Sequence, residues 1–320
     1  MREQTAIKST TKTKCLCGCG AGVSQPAKGR KRKFYTDKCR KRYHRSTARA
    51  FRDKNAPGVK ALGWGCGLQS TTLLEMSISG DLPKLDVAFF ADTGYEHQYT
   101  YEVFDYWKPR AEAAGITVVK ISGQDIYGDS FGKVSLPLFV EDTGRQIRRK
   151  CTRDYKIRPI QSAARKYLGV NPVGRLAPGL IEQWLGITTD EWHRAKDSQV
   201  AYIVNKHPLL DLGMSRTDCE DWLRARGLPV PKKSGCIFCP YQRVVEWIRL
   251  HEDEPNEFAR VINLENSING RGVVKIEGRP REVFFNAAGP LAYAISGQNT
   301  PEQDGQAINA ECDGGGYCNS

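Results

Sequence analysis

The chain has 320 residues, 40% of them hydrophobic and 26% charged, with a net charge of +12, the profile of a globular protein with one large domain and a small appendage. No apolar run approaches the roughly 18 residues of a membrane span, and Met1 to Lys14 is polar and basic rather than a secretory leader. A cytoplasmic protein without a membrane partner is expected.

The charge is segregated. Met1 to Lys54 holds 17 Lys and Arg against three acids, which leaves 31 bases and 33 acids for the remainder. The boundary is placed at a basic head over 1–56 and a main domain over 57–320, with Pro57-Gly58 as the break. A head this basic suits a polyanion, and Phe34, Tyr35 and Tyr43 interleaved with its cations suit DNA or RNA. A solvated basic tail is the plainer alternative.

The 11 cysteines of a chain expected in a reducing compartment point to metal or redox sites rather than disulfides. In the head, Cys15, Cys17, Cys19, Cys39 and His44 compete for the four places around a tetrahedral zinc ion. So short a segment has little core of its own, and a metal would hold it folded.

Val59-Lys-Ala-Leu-Gly-Trp reads as a strand, followed by a glycine-rich loop and a helix over 69–79 that ends at Gly80. Strand, glycine loop and helix N-terminus form an anion site, with Gly65 and Gly67 admitting the backbone and Gln69, Ser70 and Thr71 opening the helix. A Walker A loop is excluded because Gly-Lys-Ser/Thr is absent, and the third glycine of a dinucleotide fingerprint is missing.

Leu85 to Ala91 reads as a buried strand that delivers Asp92, Thr93, Gly94 and Glu96 at its carboxyl end, where open α/β sheets bind ligands. A helix over 99–114 and a strand over 116–121 follow. This order predicts an α/β, Rossmann-like, doubly wound and mostly parallel sheet, with a helical C-terminal part.

Farther on, Arg148, Arg149, Lys150, Arg153, Lys156 and Arg158 surround Cys151, a concentration of cations suited to nucleotide phosphates or a nucleic-acid backbone. Cys236-Ile-Phe-Cys239-Pro places two sulfurs on one turn. With Cys151 and a tail thiol, Cys312 or Cys318, it would supply four thiolates to zinc or an iron–sulfur cluster. Ser215-x-x-Asp218 opens another helix, on which Cys219 reads as core.

Gly65-Cys-Gly-Leu-Gln-Ser-Thr71, Asp92-Thr-Gly-x-Glu96, Cys151-Thr-Arg-Asp-Tyr-Lys-Ile-Arg-Pro159 and Ser234-Gly-Cys-Ile-Phe-Cys-Pro240 stand in this order. Together they resemble the phosphoadenosine phosphosulfate (PAPS) reductase family of the adenine nucleotide alpha-hydrolase-like (PP-loop) superfamily. Gly186-Ile-Thr-Thr-Asp-Glu191 is similar to its divergent, phage- or prophage-encoded branch. The resemblance implies ATP or a related adenine nucleotide held by Gly65 to Thr71 and by the Asp92 to Glu96 turn, with Asp92 and a tail cysteine as catalytic candidates. The tail reads Glu311-Cys312-Asp-Gly-Gly-Gly-Tyr-Cys318, without the Leu-His that follows the attacking cysteine of the assimilatory reductases. Three functions remain open: a PP-loop enzyme activating a nucleic-acid base or carrier for modification such as sulfur transfer, a sulfonucleotide reductase, and a non-catalytic nucleic-acid-binding accessory.

Overall fold

The computed structural model describes residues 12–15, 19–25, 32–33, 35–36, 38–39, 58–170, 174 and 176–296. The chain divides into two compact units. The smaller takes in Met1–Gly58, Val173–Ile181 and Ser198–Val204, and the larger takes in Val59–Pro172, Glu182–Asp197 and Asn205–Ser320.

In the head, β1 (Lys12–Lys14) and β2 (Gly22–Ser24) pair antiparallel, Thr13 opposite Val23. The main sheet begins with β3 (Val59–Gly63), which leads into α1 (Leu68–Ser79). Next come β4 (Val87–Ala91), α2 (Gln98–Ala113) and β5 (Thr117–Ile121). The two-residue strand β6 (Phe139–Val140) pairs antiparallel with Val283–Phe284. A π-helix over Thr152–Ile157 runs into α3 (Arg158–Tyr167). Then β7 (Ile181–Trp184) and β8 (Ile203–Lys206) complete the sheet. The C-terminal part is helical, with α4 (Arg216–Arg224), α5 (Val244–Asp253) and α6 (Pro255–Gly270).

The five long strands stand in the order β5-β4-β3-β7-β8. β4 pairs parallel with both β3 and β5, Ala88 lying beside Leu62 and Val118. All five residues of β4 are buried, which explains its unbroken apolar run, since both faces of a parallel strand are covered by helices. This is the predicted doubly wound, Rossmann-like sheet. From β3 the chain winds outward to β5, then returns to the other side of β3 with β7. The carboxyl ends of β3 and β7 are therefore the topological switch point, where open α/β sheets form their ligand crevice.

Two apolar cores support the main unit. One packs α1, α2 and α4 against the sheet through Leu62, Trp64, Leu74, Phe90, Trp107 and Leu223, with Cys219 fully buried among them. Trp107 Nε1–H and the Arg110 guanidinium both donate to Glu75, which satisfies a carboxylate on the inner side of α1. The other gathers Leu138, Phe238, Trp247, Leu264 and Phe285 around α5 and α6. There the buried Glu265 carboxyl accepts the backbone N–H groups of Phe285 and Leu291. Among the described residues, no helix is long and apolar enough to cross a membrane.

Candidate functional site

The glycine loop lies at the switch point. Cys66 adopts φ 58°, a left-handed conformation that costs a side-chain-bearing residue on the order of 1 kcal/mol and recurs where local strain serves a site. Gly67 is the extended N-cap of α1, at φ −87° and ψ 170°; no side chain caps the helix and its first turn carries no acid. The leading N–H groups of an α-helix have no intrahelical partner, and the macrodipole makes that end attractive to anions. Gln69, Ser70 and Thr71 are all buried there. The Ser70 hydroxyl donates to the Gly67 carbonyl, and the Thr71 hydroxyl accepts from Trp64 Nε1–H at 3.1 Å.

Two close approaches enclose this loop. A Cβ on Gly186, just beyond β7, would stand 2.6 Å from the Ser70 nitrogen. A Cβ on Gly67 would stand 2.8 Å from Ser234 Oγ. Bare hydrogen at both positions lets three chain segments meet at one helix end. Neither Gly186 nor Ser234 was among the predicted site residues, although both lie inside motifs that carried the family resemblance.

Beyond β4, Asp92 holds the turn. Its Oδ1 accepts the Gly94 N–H at 2.8 Å and the Tyr101 hydroxyl at 2.9 Å, and its Oδ2 pairs with Lys120 at 3.1 Å. Thr93 donates to Glu96 at 2.8 Å, and Glu96 pairs with Lys156 at 3.6 Å, both charged side chains being almost completely buried. Segment 235–237 is stitched alongside: Glu96 bridges Cys236, His97 N–H donates to the Gly235 carbonyl, and Ile237 N–H donates to the Tyr95 carbonyl. His97 lies between Gln242 and Glu254.

The π-helix divides the cations. Its wide turn buries Thr152, Tyr155 and Lys156, so Lys156 faces Glu96. Arg153 and Arg158 point outward and both pair with Asp154, at 2.9 Å and 3.1 Å. These contacts hold the Asp154 carboxyl below its usual range, chiefly through the Arg153 hydrogen bond. Of Arg153, Lys156 and Arg158, three of the six cations expected to suit phosphate, the structure buries Lys156 and leaves the other two on the surface.

Cys151, Cys236 and Cys239 line one cleft, with Arg149, Lys156, Tyr155, Phe238 and Tyr241. Burial pushes the Cys236 thiol well up, reinforced by Glu96 and opposed by the Phe238 N–H and by Lys156. Cys66 is pushed well up too, first by burial and then by Glu96, with Lys156 and Lys120 opposing. The loop and cysteine segments thus share one buried electrostatic environment.

In the head, the sulfurs of Cys15, Cys19 and Cys39 all lie within 4.8 Å of one another. A tetrahedral ion with bonds of about 2.3 Å to sulfur sets its sulfurs roughly 3.8 Å apart, and Cys19 and Cys39 are 3.8 Å apart. The Tyr35 N–H donates to Cys15 Sγ and the Thr36 hydroxyl to Cys39 Sγ, each at 3.3 Å, the outer contacts that orient thiolate ligands. The three cysteines therefore fit a metal ion such as zinc. Among the described residues no other three His, Cys, Asp or Glu side chains meet this closely, so Cys151, Cys236 and Cys239 share a cleft without converging on one point. Cys17, His44, Cys312 and Cys318 lie outside the described residues.

No protein-family model matches the chain, and no curated protein matches it. Among solved structures, it is similar to a phosphoadenylyl-sulfate (PAPS) reductase from Candida auris, determined as a phosphate complex. The two share 13% identity at a TM-score of 0.34, over 58% of this chain and 80% of that one. At those values the match is a likeness only.

Proposed function

We propose that the chain is a PAPS-reductase-like PP-loop enzyme that binds ATP or a related adenine nucleotide at the switch point. It uses the nucleotide to activate a nucleic-acid base or carrier for modification such as sulfur transfer. The observation that carries this reading is the uncapped N-terminus of α1, enclosed by Gly186 and Ser234 beside the buried Lys156. Helix N–H groups hold the phosphates, with the Lys156–Glu96 ion pair buried beside the loop. Attack of a carbonyl oxygen on the α-phosphorus expels pyrophosphate, and a sulfur nucleophile then displaces AMP. The basic head, held by zinc on Cys15, Cys19, Cys39 and a fourth ligand, brings the nucleic acid.

Cys151, Cys236 and Cys239, with a tail cysteine, offer an all-thiolate donor set that suits an iron–sulfur cluster or a zinc ion. When bound, such a cluster supplies electrons or a sulfur-binding iron. The chain's own part is to set the thiols beside the loop through the stitching of segment 235–237 to 95–97.

The test is anaerobically prepared full-length protein with ATP, with and without RNA or DNA. Formation of AMP and pyrophosphate only when nucleic acid is present is the expected result. No AMP under any of these conditions rejects the reading. Sulfite release from PAPS, lost on Cys312→Ser or Cys318→Ser, would establish the sulfonucleotide reductase instead.

A further inference from the structure

We infer that the Ser234 hydroxyl is a direct ligand of the phosphate group held at the start of α1, which makes the cysteine-bearing segment the second wall of the phosphate site. The inference rests on the nucleotide reading above and adds a residue to it. Ser234 is 3% exposed, and its Oγ has no hydrogen-bond partner among the described residues. Buried hydroxyls are almost always partnered, so one that stands alone beside a binding loop marks the place of a missing acceptor.

Its position is fixed on both sides. The preceding carbonyl, of Lys233, accepts the Tyr99 hydroxyl at 2.7 Å, and the following one, of Gly235, accepts the His97 N–H at 3.2 Å. The hydroxyl faces Gly67, with Oγ 2.8 Å and Cβ 3.5 Å from the point where a Gly67 Cβ would stand. Gly67 is the uncapped N-cap of a 12-residue helix. A hydroxyl donor from one segment and free N–H donors from another therefore converge, with no acid in the first turn of α1 to compete. A tetrahedral oxyanion answers such a set, because it accepts from several directions at once. Gly67 is needed on two counts, for the approach of the anion to the backbone and for the space that Oγ occupies. Two residues beyond Ser234 lies Cys236, so an anion held here also braces the segment that carries the buried thiol.

The experiment titrates inorganic pyrophosphate and ATP against full-length wild type, Ser234→Ala, Gly67→Ala and the Gly67→Ala/Ser234→Ala double variant, with thermal melting of each. Wild type is expected to bind both ligands. Ser234→Ala should bind pyrophosphate about tenfold to a hundredfold more weakly, the range for a hydrogen bond to a charged group. Its melting temperature should be unchanged or higher, since no protein hydrogen bond is lost. Gly67→Ala should lower the melting temperature less in the Ser234→Ala background, where the 2.8 Å contact is gone. Equal affinity of wild type and Ser234→Ala for both ligands overturns the role of Ser234 and leaves the nucleotide reading standing. A destabilised Ser234→Ala of unaltered affinity overturns it too. Wild type that binds neither ligand overturns both.

Discussion

Gly186 and Ser70 touch through backbone alone: a Cβ on Gly186 would meet the Ser70 nitrogen at 2.6 Å and the Gln69 carbonyl carbon at 2.9 Å. The atoms in the way are main chain within a helix, so they cannot turn aside as a side chain would. Gly186→Ala should therefore push the first turn of α1 away from the crevice. The expected cost is about 1–3 kcal/mol, the range for overpacking, with weaker ATP binding. Urea denaturation and an ATP titration of the same preparation measure both, and an unchanged urea midpoint would show that the contact yields.

Lys156 and Glu96 form an ion pair with side chains 8% and 2% exposed. Removing one partner strands a buried charge, at a cost on the order of 3–5 kcal/mol, whereas removing both costs much less. Lys156→Met should destabilise strongly, and Glu96→Gln/Lys156→Met should recover part of the loss. Chemical denaturation of the three proteins decides it. A double variant no more stable than Lys156→Met would mean that the pair is not coupled in this way.

The buried thiols set an alkaline limit. Burial pushes Cys219 up to about 12 and raises Cys66 as well. A thiol in the unfolded chain titrates near 8.5. Above that pH the unfolded chain releases protons that the folded protein retains, so stability, complete below about pH 8.5, falls as pH rises towards the folded values. Urea midpoints should decline between about pH 8 and pH 10, and Cys219→Ala should decline less steeply. Parallel curves for the two proteins would contradict the assignment.

The head should carry metal. Full-length protein prepared under reducing conditions is expected to lose about one equivalent of zinc on Cys39→Ser, as removal of one thiolate opens a tetrahedral site. Plasma mass spectrometry gives the count. Zinc content unchanged by Cys39→Ser would remove Cys39 from the site.

Much of the fold was legible because its signals are local. The unbroken apolar run of β4 and the glycine stop of α1 marked their elements within a residue or two, and Ser215 with Asp218 forms the capping box that their spacing predicts. The parallel, doubly wound class followed from the alternation of strand and helix, whereas the strands Ile181–Trp184 and Ile203–Lys206 and the resulting order were not read from the sequence. What sequence did not separate was direction. Lys156 differs from Arg153 and Arg158 only because the π-helix turns it inward, and no local pattern marks that turn. Gly186 and Ser234 contact residues more than a hundred positions away in the chain, so their partners appear only once the strands are laid side by side.

In the proposed function the loop at the switch point binds an adenine nucleotide by its phosphates. Calorimetric titration of ATP into wild type and Gly67→Val tests it most directly, because a side chain at position 67 fills the space between the start of α1 and Ser234. Saturable binding by wild type, weakened at least about tenfold in Gly67→Val, is the predicted result. No binding by wild type, or equal binding by the two proteins, would contradict it.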